Sequence, residues 1–251
     1  METGREILDM GNYELCRINH IAMTRKDTIF VSYWSEFWEE CMLQVLDFGG
    51  QRLRRWKPDM MSQIAVAVSG DEVFLANWFW VKVFRSDGCF LRQWRLMGDV
   101  HGRSLLVVTE ARVFIAMCSQ IQVFSCGGRF LHQWNIAGHR SNTVSDLALF
   151  GDLLYVSVYG FEPQVQVFQL DGTFLRGWSP WEGGEFMTPS AIAVSQDGEV
   201  FVNDRERLLV FALDGSFIKQ LDRPRMEEAT GLAIAENGEI IVSDSTCLYL
   251  L

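Results

Sequence analysis

The sequence predicts an all-β fold, a six-bladed β-propeller of four-stranded antiparallel blades, on three observations. A strand–turn–strand phrase ending in Trp recurs about every forty residues, the period of a propeller blade. A second, more apolar hairpin precedes each copy of that phrase. The last unit is one strand short, and the first residues of the chain carry a candidate for the missing strand.

The phrase reads VKVFRSDGCFLRQW to Trp94, IQVFSCGGRFLHQW to Trp134 and VQVFQLDGTFLRGW to Trp178. A weaker copy, LQVLDFGGQRLRRW, ends at Trp56, and LLVFALDGSFIKQL places Leu221 where Trp is expected. Each turn carries Gly at its second position, at Gly50, Gly88, Gly128, Gly172 and Gly215. Gly-Gly and Asp-Gly supply the positive φ of a two-residue hairpin, so the flanking segments are adjacent strands, c and d. The upstream hairpins supply strands a and b. The clearest are AIAVSQDGEVFVND (residues 191–204) and LAIAENGEIIVSD (residues 232–244). Runs such as Val-Phe-Leu-Ala are apolar on both strand faces, as expected where blade stacks on blade.

The sixth unit stops after its third strand, Cys247 to Leu251. Gly4-Arg5-Glu6-Ile7-Leu8-Asp9-Met10 aligns with Gly128 to Trp134, so residues 4–10 are expected to complete the last blade. Closure removes a sheet edge that would otherwise invite aggregation. Residues 1–251 are therefore read as one propeller domain.

Composition narrows the function classes. The formal charge is −10, whereas binding a phosphate backbone calls for a Lys/Arg surplus, so nucleic acid is not an expected partner. The densest basic group, Arg52, Arg54, Arg55 and Lys57, is expected on an outer strand facing water. The six cysteines show no CxxC pair or zinc spacing, and the start of the chain lacks a secretion signal. No stretch approaches the ~20 apolar residues of a spanning helix, so a membrane is not expected either. These features point to a cytoplasmic monomer whose cysteines act as small core residues.

From Thr188-Pro189-Ser190-Ala191-Ile192-Ala193-Val194 through Asp204, then Val210-Phe211 and Asp214-Gly215, the fifth unit resembles an NHL repeat, and residues 230–244 do so nearly as well. Units one, three and four depart from the pattern, since the Asp ending the second strand matches only at Asp204 and Asp244. The resemblance implies a binding platform for proteins, or in some members for single-stranded RNA. Six-bladed relatives also include lyases and lactonases with a metal in the central channel. Fold alone does not choose among these.

Propeller topology sorts the loops: b–c and d–a connections emerge on one face, a–b and c–d turns on the other. Bulky aromatics gather on the first. The b–c loops carry Tyr33, Trp34, Phe37 and Trp38 in unit one, Trp78, Phe79 and Trp80 in unit two, and Tyr159 and Phe161 in unit four. The d–a loop into unit five adds Trp181 and Phe186. Tyr and Trp anchor protein interfaces, so Tyr33, Trp34, Phe37, Trp38, Trp78, Trp80, Tyr159, Phe161 and Trp181 are the candidate partner-binding residues. The alternative is that these rings pack on one another and plug the channel. Glu36, Glu39 and Glu40 favour a basic or neutral apolar partner.

Catalytic constellations are hard to assemble. A channel metal would need His20, His101 and His139 to converge, yet His20 aligns with Ile64, Ala191 and Gly231 in other units. Ser145-Asp146 reads as a strand start, no Gly-x-Ser-x-Gly elbow occurs, and Asp204 to Arg207 read as a solvated loop. No catalytic residue, metal or cofactor is expected. A protein- or peptide-binding scaffold leads. A small-molecule enzyme or binder at the channel mouth and an RNA binder that stacks bases on the same rings are the alternatives.

Overall fold

The computed structural model describes residues 5–9, 16–24, 28–36, 39–61, 63–98, 102–179, 186–221 and 230–251. Its strands form six four-stranded antiparallel sheets. The N-terminal strand is β1 (Arg5–Asp9). Blade 1 contains β2 (Cys16–Met23), β3 (Ile29–Ser35), β4 (Glu40–Leu46) and β5 (Arg52–Trp56). Blade 2 contains β6 (Ala65–Ser69), β7 (Glu72–Ala76), β8 (Trp80–Arg85) and β9 (Phe90–Arg95). Blade 3 contains β10 (Ser104–Val108), β11 (Arg112–Met117), β12 (Gln120–Ser125) and β13 (Phe130–Asn135). Blade 4 contains β14 (Thr143–Phe150), β15 (Leu153–Tyr159), β16 (Gln164–Gln169) and β17 (Phe174–Trp178). Blade 5 contains β18 (Pro189–Val194), β19 (Glu199–Asp204), β20 (Arg207–Ala212) and β21 (Phe217–Leu221). Blade 6 contains β22 (Gly231–Ile234), β23 (Ile240–Ser243) and β24 (Cys247–Leu250).

The sixth blade has the order β1-β24-β23-β22, so the N-terminal strand is its outer strand, as the sequence predicts. Arg5, Glu6, Leu8 and Asp9 pair with Leu250, Tyr249, Leu248 and Cys247 around a bulge at Ile7. The inner strands β2, β6, β10, β14, β18 and β22 each touch the next, and β22 touches β2. The chain is a closed six-bladed propeller.

Apolar residues on both faces of the a, b and c strands create six cores, one in each seam between blades. Ile7 and Leu8 join the seam of blades 6 and 1. The recurring Trp explains how seams are locked. Trp56, Trp94, Trp134 and Trp178 pack on Phe84, Phe124, Phe168 and Phe211 of the following blade, with ring centroids 6.0–6.4 Å apart. The Gly of that blade's c–d turn lies flat against the same indole. A Cβ on Gly128 or Gly172 would sit 2.8 Å from Trp94 or Trp134, and one on Gly215 only 2.6 Å from Trp178. Leu221 departs from the pattern for a physical reason. The next blade is blade 6, whose c and d strands are the two chain ends, so no Gly turn is there to clamp. Leu221 packs instead against the apolar core of the seam of blades 5 and 6.

Two sequence expectations are corrected. The c–d connections are not two-residue hairpins with both central residues at positive φ. Only the Gly is left-handed (φ 85–94°), and a register shift follows in the paired strand, which is a type I turn closed by a Gly bulge. The cysteines are not uniformly core residues: Cys16, Cys41 and Cys247 are buried, Cys118 and Cys126 half-buried, and Cys89 exposed. The basic group behaves as expected on β5, where Arg52, Arg54 and Arg55 are exposed. Among the described residues, no helix is long and apolar enough to cross a membrane.

Candidate binding face and channel

The b–c and d–a loops are tied down by side chains whose spacing the repeat sets. The middle residue of each V-x-V run on strand c reaches the d–a loop of the preceding blade. Gln122 donates to the Met97 carbonyl at 2.7 Å and accepts from the Met97 amide at 3.0 Å. Gln166 does the same with Ala137 at 2.8 and 2.9 Å. In blade 2 Lys82 donates to the carbonyls of Pro58 and Asp59. A polar residue in an otherwise apolar strand thus completes a loop's backbone bonding.

The second strand of a repeat ends in a short-chain acceptor that folds the b–c loop. Asp204 accepts from the amides of Met187 (2.9 Å) and Thr188 (2.7 Å) and pairs with Arg207 at 2.8 Å. It is a buried structural anchor, not part of a solvated loop. Asp244 accepts from Thr246 and Cys247. Asn77 occupies the same place in blade 2, accepting from Phe79 and Trp80 and donating to the Met61 carbonyl. Reading for Asp alone missed it, although Asn is equally able to fold an Asx turn.

The predicted aromatic residues divide sharply. Tyr33 is a correction: β3 runs on through Ser35, and Tyr33 is 1% exposed in the seam of blades 6 and 1. Its alternation on a strand, not its place near a loop, decides its environment. Trp34 is half-buried against the seam of blades 1 and 2. Trp78 is half-buried with its ring edge-on to Phe79 at 6.4 Å. Phe186 is buried beside Phe211. Trp80 (38% exposed), Tyr159 (49%) and Phe161 (73%) stay open to solvent on this face. Phe161 leans on His139, ring centroids 4.8 Å apart. Met61, Phe79, Met97 and Met187 add further exposed apolar surface. Phe37, Trp38 and Trp181 lie outside the described residues.

The acidic group beside these rings is partly neutralised. Glu36 pairs with Arg17 at 3.1 Å, and Glu40 pairs with Lys57. Glu39 is exposed in a left-handed conformation.

The described histidines do not converge. His139 lies tilted against Phe161, His132 stacks on Trp134 on an outer strand, and His101 is outside the described residues. His20 does reach the channel, and its partner is Asp146 of the opposite blade, with Nε2 3.6 Å from Oδ1. The register sets His20 level with Ala65, not Ile64, because Asn19 is bulged out of β2 and shifts the following residue by one. Ser145 is bulged out of β14 in the same way, just before Asp146. A bulge re-aims the next side chain. Blade 5 has the same bulge at Ser190, so it is residue type that sets blades 1 and 4 apart: a base and an acid meet where other blades hold Ala65, Ala191 or Gly231.

Arg103, just before β10, lies in the same cluster. Its Nη2 donates to the carbonyls of Asn19 (2.8 Å) and Thr230 (2.6 Å), so the side chain crosses from blade 3 to blades 1 and 6. Burial pushes its guanidinium below the usual arginine range, an effect the nearby Asp146 charge opposes. Among the described residues, no three His, Cys, Asp or Glu side chains are grouped to hold a metal. The large cavity, about 1630 Å³, opens at the other end of the axis. There Met23, Val68, Val108, Leu149 and Val194 end the inner strands beside Asp71 and Glu110.

Neither a protein-family model nor a curated protein matches the chain. Solved structures do. The WD40 β-propeller domain of Doa1 is 13% identical, with a TM-score of 0.64 over 93% of this chain and 78% of that one. The Cps50 (Swd1) β-propeller domain of Myceliophteria thermophila is 12% identical, with a TM-score of 0.66 over 94% and 96%. The Pan2 WD40 domain of Neurospora crassa is 10% identical, with a TM-score of 0.63 over 95% and 90%. At these identities the likeness is one of fold, and the fold they share with this chain is the β-propeller.

Proposed function

We propose that this propeller is a non-enzymatic scaffold of NHL type that binds a protein or peptide through its b–c and d–a loop face. The observation that carries the reading is the solvent exposure of Trp80, Tyr159 and Phe161 on one face, in b–c loops held by Asn77 and Asn142. Rigid loops presenting large rings lose little conformational freedom on binding, and such rings dominate interface energetics. With Arg17 and Lys57 already paired to Glu36 and Glu40, the face suits a partner with an apolar anchor and little net charge. The net charge of −10 speaks against RNA. Of the nine predicted residues, Trp80, Tyr159 and Phe161 carry the proposal, the half-buried Trp34 and Trp78 support it, Phe37, Trp38 and Trp181 lie outside the described residues, and burial removes Tyr33.

The test is affinity capture from the native cell with the wild-type chain and a Trp80→Ala/Phe161→Ala variant. Both rings are exposed, so the variant should melt like the parent. A loss of about 2 kcal/mol or more in affinity for the captured partner is expected. A variant that retains every partner refutes the loop-face reading.

A further inference from the structure

The polar cluster at the d–a end of the channel holds more donors than the protein uses. Asn19, His20 and Ser104 are at least nine-tenths buried, and Asn19 Nδ2, His20 Nδ1 and Ser104 Oγ have no hydrogen-bond partner among the described residues. Arg103 spends only Nη2, on two carbonyls that carry no charge. Among the described residues, the carboxylate beside Arg103 is already engaged: Asp146 accepts from the amides of Leu147 (2.9 Å) and Ile192 (3.0 Å) and faces His20. Buried polar groups in folded proteins are almost always satisfied, and an exception marks a bound water, ion or ligand. Here the unmet groups include an amide N–H and a hydroxyl, and the Arg103 guanidinium lies beside them. They ask for acceptor oxygens, and the fixed positive charge favours oxygens that carry negative charge. A planar guanidinium matches a carboxylate in shape as well as in charge.

We propose that this end of the channel binds a carboxylate, held by Arg103 with Asn19 and Ser104 and flanked by His20. Asp146 acts as a positioning residue, holding His20 on the axis from the opposite blade. The site needs none of the exposed aromatic rings and stands whether or not they bind a partner. The carboxylate could belong to a free small acid or to the C-terminus of a peptide entering from the loop face.

The experiment is calorimetric titration of the full chain with acetate, succinate, inorganic phosphate, the neutral analogue acetamide, and one short peptide with either a free or an amidated C-terminus. Saturable binding of a small acid, or of the free-acid peptide alone, supports the site and tells the two sources apart. Arg103→Met should weaken that binding by about tenfold or more, the scale of a charge-assisted pair. Should that variant fail to fold, Asn19→Asp, which places a carboxylate of the protein's own beside Arg103, should abolish binding. The proposal is overturned if no carboxylate binds saturably, if phosphate binds and no carboxylate does, or if a folded Arg103→Met or Asn19→Asp variant binds as tightly as the parent. Trp80→Ala/Phe161→Ala should leave carboxylate binding unchanged, so failure of the loop-face reading is separately visible.

Discussion

At the scale of single residues, the glycines of the c–d turns serve twice. Gly128 and Gly172 adopt φ values of 90° and 94°, and each leaves room for the indole of the preceding blade. Gly128→Ala is expected to destabilise by about 2 kcal/mol or more, from left-handed strain plus displacement of Trp94, measured by denaturant unfolding. Trp94→Phe should relieve part of that loss, because the smaller ring clears the added methyl. Burial also sorts the thiols. It pushes Cys41 up to about 12, so that thiol stays protonated and unreactive, whereas Cys89 is exposed. Alkylation at pH 8 followed by mass spectrometry should find Cys89 modified first and Cys41 protected until unfolding. Sequence reading located the turn glycines because Asp-Gly and Gly-Gly are local signals. It could not see that Gly88, Gly128, Gly172 and Gly215 each face a Trp 32–38 residues earlier, a contact made only when blades stack.

At the scale of elements, the seam of blades 2 and 3 adds a polar edge to its apolar core. Arg92 on β9 grips Glu72 on β7 through two nitrogens, at 2.7 and 2.5 Å, and donates to the Cys126 carbonyl in the next blade at 2.8 Å. The hydrogen bonds from Arg92 hold the Glu72 carboxyl below its ordinary value of 4.5. Asp171 and Asp214 are held below 3.8 by bonds from Thr173 and Ser216 in their own turns. A carboxylate whose pKa falls on folding contributes stability above its unfolded pKa and loses it as pH drops through the folded one. Stability should therefore be level near neutral pH and fall below about pH 4.5, and Glu72→Gln should flatten that fall. Thermal melts of the two proteins between pH 3 and 7 measure it, and parallel curves would remove Glu72 from the account. The strands themselves were readable from alternation and turn residues. The bulges at Asn19 and Ser145 were not, since a bulge adds one residue without any special residue type, and each lies just before a member of the His20–Asp146 pair. For the same reason the face of each loop was legible, while the depth of a given ring was not. Tyr33 lies one position from Trp34, yet it is sealed in a core.

At the scale of the whole molecule, ring closure makes the first and last strands neighbours. The short sixth unit and the orphan N-terminal strand announced this in the sequence, because a blade lacking its outer strand leaves open hydrogen bonds and a half-exposed seam. Deleting residues 1–11 removes β1 together with Ile7 and Leu8 from the seam of blades 6 and 1. The loss is about 4–6 kcal/mol from strand pairing alone, a large part of a domain's stability, so an aggregating or unfolded chain is expected. The axial cluster belongs to this scale too. Arg103 and the His20–Asp146 pair join blades that are distant in sequence, which is why no local motif foretold them. The most direct measurement of closure is a disulfide between Glu6→Cys and Tyr249→Cys, facing partners of β1 and β24, in a Cys89→Ser background. Mild oxidation should give an intramolecular bond linking the two chain ends in the monomer, with stability raised by about 3–5 kcal/mol. A chain that forms only intermolecular disulfides, or none, while remaining folded would contradict the closed ring.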